Sequence, residues 1–424
     1  MKKEKSQEYI FPKNFYWGAA TASHQVEGNN YNDWSEWEKS EKRINDLKKS
    51  GLLDKYGQDN FISGRGADHY NKYKEDFKLA KELGHNATRF SIEWSRIEPE
   101  EGKFDQKAIN HYKDVIKRLK ELDIEPFVTL WHWPIPIWLR DKGGLKSSEM
   151  PKYFVRYAKK VVEALGDDVK FWITLNEPLV NTSISYIQGI WPPQRKNPFV
   201  FLKVNLNLLK SHKLTYTAIK EINPKAQVGI AKHNAYFSIK GNYLINKGIK
   251  SLVDALWNHL WLRCIRDHQD FIGLNHYFHH RILYGLGKNE RKIINHMGWE
   301  IYPTSLYHCL KDLKRYNKPI YVTENGLADA KDEKRTWFIY EMLKGVHKAI
   351  EEGVDVKGYL HWSLMDNFEW ADGYWPRFGL IEIDYDTLER RPRKSAYFYR
   401  DICKSNGITS SVVEKYKEEI ERFS

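Results

Sequence analysis

Short apolar runs, rich in Val, Ile and aromatic residues, alternate along the chain with longer stretches whose apolar positions recur every three to four residues. The first pattern reads as buried strands and the second as amphipathic helices. Their alternation predicts a parallel α/β fold. Strands are predicted over Tyr16–Thr21, Ala87–Ile92, Glu125–Leu130, Phe171–Leu175, Gln227–Ala231, Phe271–Leu274, Ile320–Thr323 and Gly358–Trp362. Helices are predicted over Asp68–Leu83, ending at the helix-stopping Gly84, and over Asp105–Leu122, Met150–Leu165, Phe201–Ile222, Trp337–Glu352 and Ser395–Lys404. With no Pro/Gly/Ser linker or compositional break, this predicts a single (β/α)8 TIM barrel over residues 1–424, with a core from about 11 to 399. A doubly wound nucleotide-binding sheet is disfavoured, because no strand is followed by G-x-G-x-x-G. The polar, glycine-punctuated stretch Lys48–Gly66 reads as an excursion over the barrel mouth, and Val412–Phe423 as a surface helix.

A parallel barrel keeps its chemistry at the C-terminal ends of its strands. In KPIYVTENG (Lys318 to Gly326) an apolar strand ends at Glu324, and in FWITLNEP (Phe171 to Pro178) another ends at Glu177. Either carboxylate alone could be a solvated strand end. Two facing one cavity can run glycoside hydrolysis, one as acid/base and the other as nucleophile or water activator. The remaining ends carry Gln25, Arg89, His132, Trp133, Asn176, Asn275, Tyr277 and Trp362. Hydrogen-bonding groups and tryptophans thus converge on one face, as a polyhydroxylated substrate requires.

TLNEP (Thr174 to Pro178) and VTENG (Val322 to Gly326) resemble the acid/base and nucleophile signatures of glycoside hydrolase family 1, the β-glucosidase family, and further matches run from about Phe11 to about Tyr399. The resemblance implies a retaining β-glycosidase acting on terminal non-reducing β-D-glucosyl, and alternatively β-galactosyl or β-fucosyl, residues. It assigns nucleophilic attack to Glu324 and proton transfer to Glu177, with Arg89 and Tyr277 supporting the nucleophile. Asn176 would donate to the sugar 2-hydroxyl. Gln25, His132, Trp133, Glu369 and Trp370 would read the sugar together with Asn275 and Tyr277, Trp362 would form the floor and Phe378 an aromatic wall. Glu369 implies a neutral rather than a 6-phosphorylated sugar, and Glu177 departs from the glutamine of myrosinase-like relatives. A mainly transglycosylating enzyme and a non-catalytic sugar-binding barrel remain as alternatives. The chain departs from the family pattern at His276, where a tyrosine is usual. It also departs over His233 to Asp270, a segment that looks short and leaves barrel closure and aglycone preference open.

Composition narrows the alternatives. The aromatic load, 16 Trp, 26 Tyr and 19 Phe, supplies core as well as flat faces for sugar rings. A formal charge of +12 is spread along the sequence without a concentrated basic tract, so it reads as a solvated lysine-rich surface and not a nucleic-acid site. No run of about eighteen apolar residues suggests a spanning helix, and the start carries no apolar signal region. Cys264, Cys309 and Cys403 lack metal-ligand spacing and read as reduced packing residues of a cytoplasmic protein. The adjacent His279 and His280 point to opposite faces of an extended strand, so neither metal nor cofactor is expected. The expected partners are small β-glycosides or oligosaccharides, and homo-oligomerisation is left open.

Overall fold

The computed structural model describes residues 8–287 and 289–423. Eight parallel strands close into a barrel: β1 (Tyr16–Ala20), β2 (Ala87–Ser91), β3 (Glu125–Trp131), β4 (Phe171–Asn176), β5 (Gln227–His233), β6 (Ile272–Asn275), β7 (Ile320–Gly326) and β8 (Val356–Trp362). They are the eight predicted strands in their predicted order. The segment between β5 and β6 does not interrupt closure, since Ala231, Lys232 and His233 pair with Gly273, Leu274 and Asn275. It leaves the barrel as Tyr236–Ile239, which pairs in parallel with His279–Ile282, and then runs through helices before β6.

The lower barrel is filled by aromatic side chains. Phe127 and Phe171 stack at 4.2 Å between ring centroids, and Phe271 and Tyr321 pack edge-on against Phe171. Edge-to-face and offset ring contacts of this kind stabilise beyond their buried area. Above this plug the inward positions turn polar, beginning with Arg89 and Thr129. Floor and site are thus successive layers of the same strands.

Outer helices include His69–Glu82, Gln106–Glu121, Met150–Leu165, Arg335–Glu351 and Lys394–Ser405. The helix expected from Phe201 begins earlier, at Pro198. There the Asn197 side chain accepts from the N–H groups of Phe199 and Val200, and proline at the first turn forfeits no hydrogen bond. The surface helix expected over Val412–Phe423 is instead two short helices, Ser410–Lys415 and Lys417–Glu421, broken at Tyr416. Val412, Tyr416 and Ile420 are buried, and Phe423 packs on Trp337.

All three cysteines are free. Cys309 and Cys403 are buried as packing residues, but Cys264 is exposed, contrary to expectation, at the solvent-facing end of the helix Leu260–Cys264. Among the described residues no helix is long and apolar enough to cross a membrane.

Candidate active site

Glu324 ends an apolar run that is buried throughout, and Gly326 follows it because β7 passes β8 closely: a Cβ there would lie 1.8 Å from the Trp362 carbonyl oxygen. Glu177 lies one residue past β4 with φ of 41°, in the left-handed region, and its N–H donates to the Ala231 carbonyl at 2.8 Å. Pro178 then starts a short helix. Trp133 and Trp370, both on the same cavity, also have positive φ, 89° and 50°. Non-glycine residues held in this costly region cluster where surrounding structure fixes a functional geometry.

A hydrogen-bond network connects the two carboxyls. Arg89 Nη1 pairs with Glu324 Oε1, and the Tyr277 hydroxyl donates to Glu324 Oε2 at 2.8 Å. Arg89 Nη2 donates to Asn176 Oδ1 at 2.7 Å. Asn275 Nδ2 donates to Glu177 Oε1 at 2.8 Å and to Asn176 Oδ1 at 3.1 Å, while its Oδ1 accepts from Thr323 at 2.7 Å. Both amide hydrogens of Asn275 are therefore engaged within the protein. Asn275, expected as a sugar contact, is hydrogen-bonded to Glu177, Asn176 and Thr323. Asn176 Nδ2 donates to His132 Nε2 at 2.9 Å, which uses one of its two hydrogens.

The surroundings separate the two acids. Burial and the nearby Glu324 charge push the Glu177 carboxyl up to about 8. Burial also raises Glu324, but the Arg89 guanidinium and the hydrogen bonds from Tyr277 and Arg89 oppose it. The pair consequently carries its proton on Glu177 and its charge on Glu324 near neutral pH.

A cavity of about 480 Å³ opens over this pair. His132, Trp133, Trp362, Glu369, Trp370 and Phe378 line it, and Tyr277 and Glu324 meet on its wall. Arg89, Asn176 and Asn275 lie in the bonded layer with the carboxyls and not on the cavity wall. Gln25 Nε2 donates to Asn367 Oδ1 and the Phe368 carbonyl, and its Oε1 is buried without a partner. His132 Nδ1 and Glu369 Oε2 are likewise buried and unpaired. Because His132 Nε2 accepts from Asn176, the imidazole hydrogen sits on Nδ1. Buried polar atoms without partners are costly. Here an acceptor on Gln25, behind the cavity wall, and a donor on His132, on it, find no partner within the protein.

Sequence reasoning missed several cavity residues. Trp191 and Trp299 line the cavity, Arg43 and Asp46 reach it from the helix Glu41–Lys49 and Leu52 from the excursion Lys48–Gly66, and His233 reaches it from the end of β5. The excursion over Lys48–Gly66 was visible in the sequence, but which side chains face inward is set by loop geometry. The substitution at His276 packs behind the site, with Nδ1 at 2.9 Å from the Asn234 carbonyl and Nε2 at 2.7 Å from Ser305 Oγ. His279 is tied to Ser238 and Glu300. Among the described residues no group of three or more His, Cys, Asp or Glu is arranged to hold a metal ion.

The Glycosyl hydrolase family 1 profile matches residues 7–243 and 258–408. The chain belongs to glycosyl hydrolase family 1. It is 35% identical to a curated family member, β-glucosidase A of Acetivibrio thermocellus, over 94% of this chain and 99% of that protein. Its fold superposes on the β-glycosidase from Pyrococcus horikoshii with a TM-score of 0.86 and 38% identity, covering 97% of this chain and 98% of that one. The β-glucosidase from Thermotoga maritima in complex with glucoimidazole gives a TM-score of 0.86 at 32% identity, covering 94% and 100%. This family 1 protein is a glycoside hydrolase of the β-glycosidase type. Residues 244–257, in the helical excursion between β5 and β6, fall outside the family match.

Proposed function

We propose that the protein hydrolyses terminal non-reducing β-D-glucosyl residues, and related β-galactosyl or β-fucosyl residues, by double displacement with retention of configuration. One observation carries this reading: two buried carboxyls share a network in which only Glu324 has a guanidinium and a phenol for partners, so one is charged and the other protonated. Glu324 attacks the anomeric carbon as Glu177 gives its proton to the departing oxygen. The C–O bond to the leaving group breaks and an ester to Glu324 forms. Neutralisation of Glu324 in the ester removes the charge that held Glu177 up, so Glu177 becomes the base that takes a proton from water. The water oxygen then displaces Glu324. This chemistry needs the carboxyls about 5–5.5 Å apart, and the short bonded path from Glu177 through Asn275, Asn176 and Arg89 to Glu324 supports their proximity.

The free N–H of Asn176 is suited to the sugar 2-hydroxyl, where a hydrogen bond strengthens as positive charge develops. Gln25, His132 and Glu369 offer the unpaired groups for the other hydroxyls, and Trp362 offers a flat face beneath the ring. A sugar phosphate beside Glu369 would add charge where Glu324 and Asp372 already raise that carboxyl well above the usual range, after burial itself. A neutral sugar is the better fit. Three free cysteines support a cytoplasmic location. Incubation with a 2-deoxy-2-fluoro-β-glucosyl fluoride, which slows ester hydrolysis more than its formation, should leave a fluoroglucosyl mass on the peptide holding Glu324. Inactivation with the adduct elsewhere, or turnover without any adduct, would refute the assignment.

A further inference from the structure

Past Glu177, at the end of the next strand, an imidazole that lines the cavity has one ring nitrogen without a partner. The sugar-reading groups follow β1, β3 and β8, Glu177 follows β4, and His233 ends β5. His233 therefore ends the strand on the far side of Glu177 from His132 and Trp133. It is 4% exposed and lines the cavity. Its Nδ1 accepts a hydrogen bond from the indole N–H of Trp257 at 3.1 Å. Indole nitrogen is a donor only, so Nδ1 is unprotonated and the hydrogen of the neutral ring sits on Nε2. Burial, with Lys232, His276 and His280 nearby, keeps the ring well below the usual histidine range and hence neutral.

The Nε2 atom is buried without a partner. Its ring is held in place, with Phe278 at 5.5 Å and Trp257 at 5.8 Å between centroids. Beneath it the Lys232 ammonium donates to the His233 carbonyl. Trp257 belongs to the stretch outside the family match, so the partner that fixes the tautomer is particular to this chain's excursion.

We propose that His233 is a specificity-determining residue whose Nε2–H donates to an oxygen of a sugar leaving group, making β-linked disaccharides and oligosaccharides the favoured substrate class over glycosides with hydrocarbon leaving groups. This rests on the β-glycosidase reading above and deepens it. A hydroxyl or ring oxygen beside the scissile bond satisfies the donor. A plain aryl or alkyl group leaves it buried and unpaired, and sites built to hydrogen-bond discriminate most strongly in that situation.

The test is the ratio of kcat/KM for cellobiose to that for p-nitrophenyl β-glucoside in wild type, His233→Phe and His233→Gln. Loss of one neutral hydrogen bond lowers the ratio about three- to tenfold in His233→Phe, and His233→Gln, which retains an N–H donor, recovers part of it. Equal losses on both substrates, or an unchanged ratio, overturn the inference. Should His233→Phe fail to fold, two-bond ¹H–¹⁵N spectra of histidine-labelled wild type decide the point. They should give the Nε2–H tautomer for His233, becoming a mixture in Trp257→Phe, whereas an Nδ1–H tautomer in wild type would overturn it. A wild type that hydrolyses neither substrate refutes the underlying glycosidase reading instead.

Discussion

Glu324 faces a guanidinium and a phenol, whereas Glu177 faces an amide and, nearby, the charge of Glu324. The asymmetry predicts a bell-shaped pH profile. Activity should fall as pH rises through about 8, where Glu177 loses its proton. In Glu324→Gln the neighbouring charge is gone, so carboxyl ¹³C titration should place Glu177 below its wild-type value. An unmoved titration would mean that burial alone sets it. Linkage gives a second readout. A carboxyl raised on folding binds more protons in the native state, so its contribution to stability declines as pH rises from the unfolded carboxylate range to about 8. Glu177→Gln should therefore gain stability relative to wild type at pH 9 but not at pH 4, as read by chemical denaturation. Glu177→Ala should slow glycosides with poor leaving groups most, with azide restoring turnover of activated ones; normal hydrolysis of unactivated substrates would displace Glu177 as the acid. At this scale the two glutamates were legible because each closes an apolar run. The work of Asn275 was not, because whether an amide faces ligand or protein depends on partners from other strands, here Glu177, Asn176 and Thr323. His233 was obscured for the same reason: its decisive partner, Trp257, lies in a separate helix.

Strands were the most legible elements, since an apolar run bounded by polar and turn residues is buried on both faces in a parallel barrel. Helix ends were less so. Asn197-Pro198 carries both a capping side chain and an initiating proline, yet the apolar period begins only beyond them. The break at Tyr416 is announced by no local pattern, since Val412, Tyr416 and Ile420 keep a helical spacing across it. Strand contacts also make a sharp prediction at Gly18, opposite Ala87 in the β1–β2 pair. A Cβ there would sit 1.8 Å from the Ala87 carbonyl oxygen. Gly18→Ala should destabilise by about 1–3 kcal/mol, the usual scale of overpacking, or more because the clash is with backbone. A denaturation midpoint equal to wild type would show that β1 and β2 are not so closely apposed.

On the scale of the molecule, aromatic side chains close the lower barrel and the polar network occupies the top, so stability and chemistry draw on different layers of the same strands. Removing a ring from the plug should register in stability and leave the mouth alone. Phe171→Ala, which forfeits the stack on Phe127, should cost about 3–5 kcal/mol while KM for a glucoside stays within about twofold. A large KM change would mean that the plug shapes the site. The barrel itself was readable from eight strands and their order, whereas the closure beside the β5–β6 excursion needed the pairing of Ala231–His233 with Gly273–Asn275 to be seen. Whether this assembly retains configuration is answered by proton NMR of freshly mixed enzyme and p-nitrophenyl β-glucoside, following which anomer of glucose appears before mutarotation. Glu324 as nucleophile and Glu177 as acid/base require β-glucose first; α-glucose first would mean a single displacement by water and would contradict both assignments.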